Sequence, residues 1–254
     1  VYYLSQAALC GRDIFWDQNC KYNLAIRRTL EAIYKGYKGD RTSLEWDQFM
    51  VYLKRVWFSN GIHHHYSNDK FLPSFSQEYF KQLIQNTPAD NFPAELDAEK
   101  IQSTLVPIIF DPNVLPKRVN QSAGVDMIAS SACNFYEGLT QKEAEDYYAS
   151  IQKPNDPTPI SYGLNSKLVK ENGKITEKVW KIGGMYSAAI EQIVYWLKKA
   201  AEVAENENQK KVIETLIEYY TTGDLKKFDK SNILWVSDLN SSVDFTNGFI
   251  ETYG

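Results

Sequence analysis

Residues 164–182, which read LNSKLVKENGKITEKVWKI, decide the fold class of this chain. Two runs that contain strand-favouring residues, 164–170 and 175–182, flank the sequence Glu171-Asn172-Gly173-Lys174. An Asn-Gly pair between two such runs is a strong short-range signal for a hairpin, because both residues tolerate the positive φ angles of a type I′ turn. We therefore predict an antiparallel β-hairpin over residues 164–182.

Most of the remaining chain carries apolar residues at helical spacing. This pattern predicts an α+β fold that is predominantly helical. Residues 11–19 are predicted to be an irregular connection with buried aromatics. Residues 124–137 are predicted to be a strand or an irregular segment. Pro107 is expected to end the helix that precedes it. The predicted helices are 1–10, 22–36, 44–59, 75–86, 98–106, 140–151, 185–205, 208–221 and 224–240.

The composition excludes several classes of protein. Of the 254 residues, 43% are hydrophobic, 24% charged and 14% aromatic, which is typical of a globular protein rich in aromatic side chains. A net charge of −4 without a basic patch argues against nucleic acid as a partner. No apolar run approaches the roughly 20 residues of a membrane-spanning segment. Cys10, Cys20 and Cys133 form no C-x-x-C pair, so no disulfide framework is predicted.

The three histidines of the chain, His63, His64 and His65, lie in one run directly after the helix 44–59. A metal site would use imidazoles that converge on one ion, but side chains of adjacent residues point in different directions. Two other interpretations remain open for residues 60–71. The run is either a polar loop at a helix end or a loop that contacts a ligand, which the aromatic residues around it favour.

No complete catalytic set is found in the sequence. The carboxylates Asp238, Asp244 and Glu251 lie near the C-terminus, but their spacing alone does not bring a pair to the separation that a glycosidase needs. The G-x-S-x-G, P-loop and G-x-G-x-x-G signatures are absent. From the residues alone, we predict a helix-rich body with an aromatic cleft and no catalytic machinery of its own.

Short blocks distributed nearly from end to end nevertheless resemble one known family, the dipeptidyl peptidase III zinc metallopeptidases, and most closely its bacterial branch. The clearest blocks are WFSNGIHHHY at 57–66, QKEAED at 141–146, SYGLNS at 161–166 and GFIETYG at 248–254, together with residues 2–14 and 70–73. The resemblance implies a two-lobed enzyme. This chain would be a single structural unit over 1–254, helical over 1–120, mixed over 121–182 and helical over 183–254, and the hairpin would belong to a small β-barrel of the substrate-binding lobe.

The resemblance also implies what this chain lacks. The family's zinc ligands come from H-E-x-x-G-H and a downstream E-E-x-x-x-D, and neither motif occurs in these 254 residues. By the order of the family both motifs would follow Gly254, and both ends of the chain look cut. We therefore expect zinc in a longer parent protein, no zinc bound by this chain, and no hydrolysis by the fragment alone. The remaining C-terminal lobe, which bears the zinc, is an expected partner.

The resemblance further implies that an oligopeptide substrate lies extended along this lobe, with its free amino end held by polar groups. Asp244 matches an acidic anchor for the amine. Thr246 stands where relatives often carry a tyrosine that assists at the oxyanion, and it is too short for that role. Tyr66 matches an aromatic wall of the cleft, with His65 in the polar run beside it, and Glu251 matches a block near the hinge between the lobes.

A function from a different class is a non-enzymatic, aromatic-rich binding protein such as a helical glycan-binding scaffold. Its support is the abundance of Tyr and Trp on helical faces, although aromatic rings at such positions more often pack in a core. The sequence does not assign the chain to a cellular compartment.

Overall fold

The computed structural model describes residues 1–247. Helices alternate with long irregular segments in the first half of the chain, and a small sheet precedes three longer helices in the second half. The helices are α1 (Tyr2–Cys10), α2 (Arg12–Asn19), α3 (Asn23–Gly36), α4 (Leu44–Phe58), α5 (Gln77–Gln85), α6 (Ala98–Lys100), α7 (Val106–Phe110), α8 (Gln141–Ile151), α9 (Ser187–Ala201), α10 (Glu207–Thr222) and α11 (Leu225–Val236). The strands are β1 (Tyr136–Glu137), β2 (Ser166–Glu171) and β3 (Lys174–Val179). The α+β class is therefore confirmed.

The described residues divide into two compact units. The first unit contains Val1–Phe15 and the described residues from Phe135 onward, and the second contains Trp16–Asn134. The expectation of a single structural unit over residues 1–254 stays a prediction, because two compact units can belong to one lobe of a larger protein.

The second unit is built on α3, α4 and α5. Ser43 caps α4, since its hydroxyl accepts the N–H of Trp46 at 3.2 Å, and Ser76 caps α5 in the same way. The apolar faces of these helices enclose a core with many aromatic rings, which includes Trp46, Phe49, Tyr52, Phe75, Phe80, Ile26, Leu30, Leu53 and Leu83. This core places the end of α4, and hence the histidine run, on a rigid support.

The helix at 98–110 continues through Pro107, so the expected break there is wrong. Residues Ile101–Leu105 form a wider π-helical turn between α6 and α7, and Pro107 lies in the first turn of α7. A proline in a helix removes one N–H and crowds the carbonyl four residues earlier. The wide turn accommodates both effects, and the buried Ile101 and Leu105 hold it in the core.

The first unit contains the predicted hairpin. Strands β2 and β3 pair antiparallel with Glu171 opposite Lys174, and both Asn172 and Gly173 have positive φ. Strand β1 adds a short parallel pairing to β2, which gives a sheet of order β1-β2-β3 among the described residues. Of the segment 124–137, predicted as strand or irregular, only Tyr136–Glu137 is strand. The small β-barrel stays a prediction.

Helices α9, α10 and α11 pack in succession in the first unit, and α1 packs on α9. Their facing sides bury an apolar core that includes Ile190, Ile193, Leu197, Ile213, Leu216, Tyr219 and Tyr220, with the fully buried Trp180 that follows β3. Helix α8, predicted over residues 140–151, begins with a capping box, since Thr140 and Glu143 each accept the other's backbone N–H.

The prediction of an irregular connection over residues 11–19 is wrong, because Arg12–Asn19 form helix α2. Asp17 and Asn19 have low helix propensity, but Ile14 and Trp16 are buried in the cores of the two units. Tertiary packing outweighs propensity here.

The cysteines and the helix lengths bear on what the composition led us to expect. Cys10, Cys20 and Cys133 are not joined by disulfides. Across residues 1–247, every helix is too short or too polar to cross a membrane.

Candidate functional site

The histidine run begins where α4 ends, and its first member is a structural residue. Asn60 adopts positive φ and Gly61 follows it, so the chain turns sharply into Ile62 and His63. His63 is 2% exposed, and its Nε2–H donates to the carbonyl of Leu115 at 2.9 Å. Burial lowers the pKa of His63 to about 4, and the bond to the Leu115 carbonyl opposes this shift only in part. His63 is therefore neutral at physiological pH, with its proton on Nε2.

His64 and His65 stack on each other, with ring centroids 4.8 Å apart and planes within 15°. The Nδ1 atom of His64 accepts the backbone N–H groups of Tyr66 and Ser67 at 3.1 and 3.2 Å. Because imidazole lone pairs lie in the ring plane, two nearly parallel rings do not direct them at one ion. Within residues 1–247, no three His, Cys, Asp or Glu side chains are grouped to hold a metal. The described residues do not fit the zinc that the resemblance implies.

The exposed end of the run is an aromatic surface. Tyr66 is 70% exposed, and its ring centroid lies 4.2 Å from that of His65. The ring centroid of Phe58, which is also exposed, lies 5.0 Å from that of His65. The hydroxyl of Ser59 bonds Nδ1 of His65 at 3.1 Å. His65 and Tyr66, both candidate residues, are thus brought together, and with Phe58 they form an aromatic patch in the second unit.

A buried arginine fixes this loop. The Arg118 Nε donates to Oδ1 of Asn68 at 2.9 Å, and its Nη2 donates to the carbonyl of His65 at 3.3 Å. Its Nη1 also donates to Oδ1 of Asn19 at 3.3 Å. The sequence carries no sign of this role, since Arg118 lies about fifty positions from the loop and no local pattern connects them.

A lysine holds the far side of the same loop. The Lys70 ammonium donates to three backbone carbonyls at and beyond the end of α7, those of Ile108 at 3.0 Å, Asp111 and Val114. A cation at a helix C-terminus is stabilised by the carbonyls that lack intrahelical partners. Lys70 and His63 therefore both tie the loop to residues 108–115.

The other candidate residues lie in the first unit, in the irregular segment after α11. The Asp244 side chain is exposed, and its Oδ1 accepts the indole N–H of Trp235 at 2.7 Å and the backbone N–H of Phe245 at 2.8 Å. Among residues 1–247 no donor bonds its Oδ2. A carboxylate with one oxygen fixed and the other open can accept a hydrogen bond from a cationic ligand.

A cavity of about 220 Å³ lies beside this segment. Thr246 contributes to its wall, and so does Asn247, whose Oδ1 accepts the hydroxyl of Tyr220 at 2.6 Å. Burial raises the pKa of Tyr220, so the tyrosine is a stable donor to Asn247. The other lining residues are Val212, Leu216, Ser231, Asn232, Trp235 and Phe245. Asp244 and Thr246 are therefore neighbours, as their spacing predicts.

The fifth candidate, Glu251, lies outside the described residues. Sequence reasoning missed Trp235 and Arg118, which orient Asp244 and the histidine loop. Trp235 is nine positions before Asp244, and only the irregular path of the intervening chain brings the two together.

Comparisons with known proteins identify the family. Peptidase family M49 matches residues 128–254. Dipeptidyl peptidase 3 of Homo sapiens is 22% identical over 287 aligned positions, which cover 100% of this chain and 39% of the human protein. Dipeptidyl peptidase 3 of Nematostella vectensis is 23% identical over 244 positions, covering 84% of this chain and 33% of that protein. This chain thus spans well under half the length of these relatives.

A solved structure shares the fold. The structure of DPP III from Caldithrix abyssi superimposes with a TM-score of 0.55 at 19% identity, over 95% of this chain and 33% of the other. The family match covers the C-terminal half of the chain, which contains the sheet, helices α8 to α11 and the Asp244 segment. This chain belongs to peptidase family M49.

Proposed function

We propose that this chain is the substrate-binding N-terminal lobe of a zinc-dependent dipeptidyl aminopeptidase, which removes dipeptides from the N-termini of oligopeptides. Membership of peptidase family M49 and the names of the relatives support the reaction class. The lobe assignment, the substrate and the partner lobe belong to the proposal, because this chain spans only 39% of the human relative.

The observation that carries the proposal is the geometry of Asp244. Oδ1 is held by Trp235 and by the N–H of Phe245, which fixes the carboxylate while Oδ2 faces no donor among residues 1–247. The free amino end of a peptide is an ammonium with three donors, and it complements such an oxygen. An anchor for the amine defines where the chain of the substrate begins, so cleavage at a fixed distance from it releases a dipeptide.

The remaining candidate residues have supporting roles in this proposal. Tyr66 and His65 form an aromatic wall for the peptide, since their rings lie together and Tyr66 is exposed. Thr246 is next to the anchor but is too short to act at an oxyanion as a tyrosine would. Glu251 is proposed to act near the hinge between the lobes.

The catalytic zinc is proposed to come from a C-terminal lobe, which is the partner of this chain, and the sheet is proposed to be part of a small β-barrel. Bound zinc would supply an activated water and a Lewis acid in the parent protein. The residues described here hold the peptide, and none of them is given a step at the metal. We therefore propose that this chain alone does not hydrolyse peptides.

The glycan-binding alternative is not favoured. Its support is the abundance of aromatic residues, and many of these rings, such as those of Trp46, Phe49 and Trp180, are buried in the cores. Core packing accounts for them without a ligand.

Titration calorimetry of the chain with a tetrapeptide and its N-acetylated form tests the anchor. We expect the free-amine peptide to bind about threefold or more tighter than the acetylated one, as a partly exposed charge pair contributes on the order of 1 kcal/mol. Asp244→Asn should abolish this preference. Asp229→Asn on α11 is the matched control and should retain it.

Equal affinity of the wild-type chain for both peptides would refute the anchor. A second measurement follows dipeptide release from a dipeptidyl-arylamide with added zinc, and we expect none. Turnover by the metal-loaded chain would contradict the assignment of catalysis to another lobe.

A further inference from the structure

The position of Asp244 does not come from regular secondary structure. Helix α11 ends at Val236, and residues 237–247 form neither helix nor strand. The backbone before Asp244 is therefore held by side chains from elsewhere in the first unit, and these side chains determine where the carboxylate lies.

Glu205 makes the central contact. One carboxylate oxygen, Oε2, accepts the backbone N–H of Ser242 at 2.8 Å, and the other, Oε1, accepts that of Val243 at 2.7 Å. The two amides belong to consecutive residues directly before Asp244. A single carboxylate thus fixes two successive peptide units, and this charge-assisted pair of bonds is stronger than two neutral ones.

Two neighbours of Glu205 at the start of α10 complete the arrangement. Gln209 is 6% exposed; its Oε1 accepts the N–H of Glu205 at 2.8 Å and its Nε2 donates to the carbonyl of Val243 at 2.9 Å. Asn206, the N-cap of α10, donates from Nδ2 to the hydroxyl of Ser241 at 2.8 Å. We call Glu205, Asn206 and Gln209 the α10 clamp.

The clamp and Trp235 hold adjacent parts of the same short segment. The clamp contacts residues 241–243, and the indole of Trp235 bonds the next side chain, that of Asp244. The bonds from Ser242 and Val243 lower the pKa of Glu205, because they stabilise its ionised carboxylate.

We infer that Glu205 is a positioning residue for substrate: through Ser242 and Val243 it sets the carboxylate of Asp244 in the place where it receives the amino end of a peptide. This role rests on the proposed function of Asp244. Glu205 itself does not touch the substrate.

The test replaces Glu205 with glutamine, which keeps the shape of the side chain. A glutamine amide has one acceptor oxygen, so either Ser242 or Val243 loses its acceptor and faces an NH₂ group instead. Glu207→Gln is the matched control, since it removes the same charge two residues further on. No hydrogen bond joins Glu207 to the described part of the 241–247 segment.

Two readouts are needed for the wild type, both variants and Asp244→Asn. The first is hydrogen exchange of the Trp235 indole N–H by NMR, with the resonance assigned by Trp235→Phe. The second is the ratio of affinities for a free-amine tetrapeptide and its N-acetylated form. We expect Glu205→Gln to speed the indole exchange about fivefold or more and to bring the affinity ratio close to that of Asp244→Asn. Glu207→Gln should leave both unchanged.

The possible failures are distinguishable. If wild type binds the free-amine and the acetylated peptide with equal affinity, Asp244 is not the amine anchor, and Glu205 cannot position it for that role. A wild-type ratio above one that Glu205→Gln preserves, with unchanged indole exchange, overturns the positioning role alone. Circular dichroism of Glu205→Gln, matched to wild type, shows that a lost ratio does not come from unfolding.

Discussion

Substitution of Gly61 by alanine tests how the histidine loop is held to its support. A Cβ atom at this position would lie 2.3 Å from Nδ2 of Asn23 and 2.9 Å from its Cγ, which is far closer than carbon and nitrogen atoms approach. Asn23 is fully buried, so the alanine can be accommodated only if Asn23 or the loop moves.

Movement of Asn23 breaks two hydrogen bonds. Its Nδ2 donates to the carbonyl of Trp16 at 3.1 Å, and its Oδ1 accepts the N–H of Ile62 at 3.2 Å. Overpacking costs about 1–3 kcal/mol, and each lost bond about 0.5–1.5 kcal/mol. We expect Gly61→Ala to lower the free energy of unfolding of the second unit by about 3 kcal/mol.

Native-state hydrogen exchange of the amides of α4 measures this loss by residue, separately from the first unit. Asn23→Ala removes both the bonds and the obstacle, so Gly61→Ala should cost about 2 kcal/mol less in the Asn23→Ala background than in wild type. Equal costs in the two backgrounds, or a loss under about 0.5 kcal/mol in wild type, would refute the reasoning.

Three further outcomes are expected. The unfolding free energy of wild type should fall by up to about 3 kcal/mol as the pH drops from 6.5 to about 4, because the unfolded state takes up the His63 proton first; urea titrations should show this fall in His64→Gln but not in His63→Gln. Lys70→Met should lower the free energy of unfolding by about 1–2 kcal/mol, since three carbonyls lose their donor, and Lys81→Met, at an exposed site, should not. Thr140→Ala should cost about 1 kcal/mol by removing the cap of α8 and should accelerate exchange of its first-turn amides; unchanged exchange would contradict that role.

The elements that were predicted correctly from the sequence are determined by residues that are neighbours in the chain. The Asn172-Gly173 turn determines the hairpin, because its two positive φ values are properties of those residues. Thr140 and Glu143 determine the start of α8 in the same way. Helix α2 shows the limit, since its buried Ile14 and Trp16 outweigh a local preference against helix.

In the candidate sites, too, local sequence determined some features and the tertiary structure determined the others. The adjacency of the three histidines is enough to predict that their side chains do not converge on one ion. The resemblance of short blocks indicates the family, which the comparisons confirm. The stacking of His64 on His65 and the burial of His63 needed the tertiary structure. So did the two oxygens of Glu205 on the amides before Asp244. The contacts of Glu205 join residues almost forty positions apart. Spacing carries no information about such pairs, because only the packing of the helices decides which side chains meet.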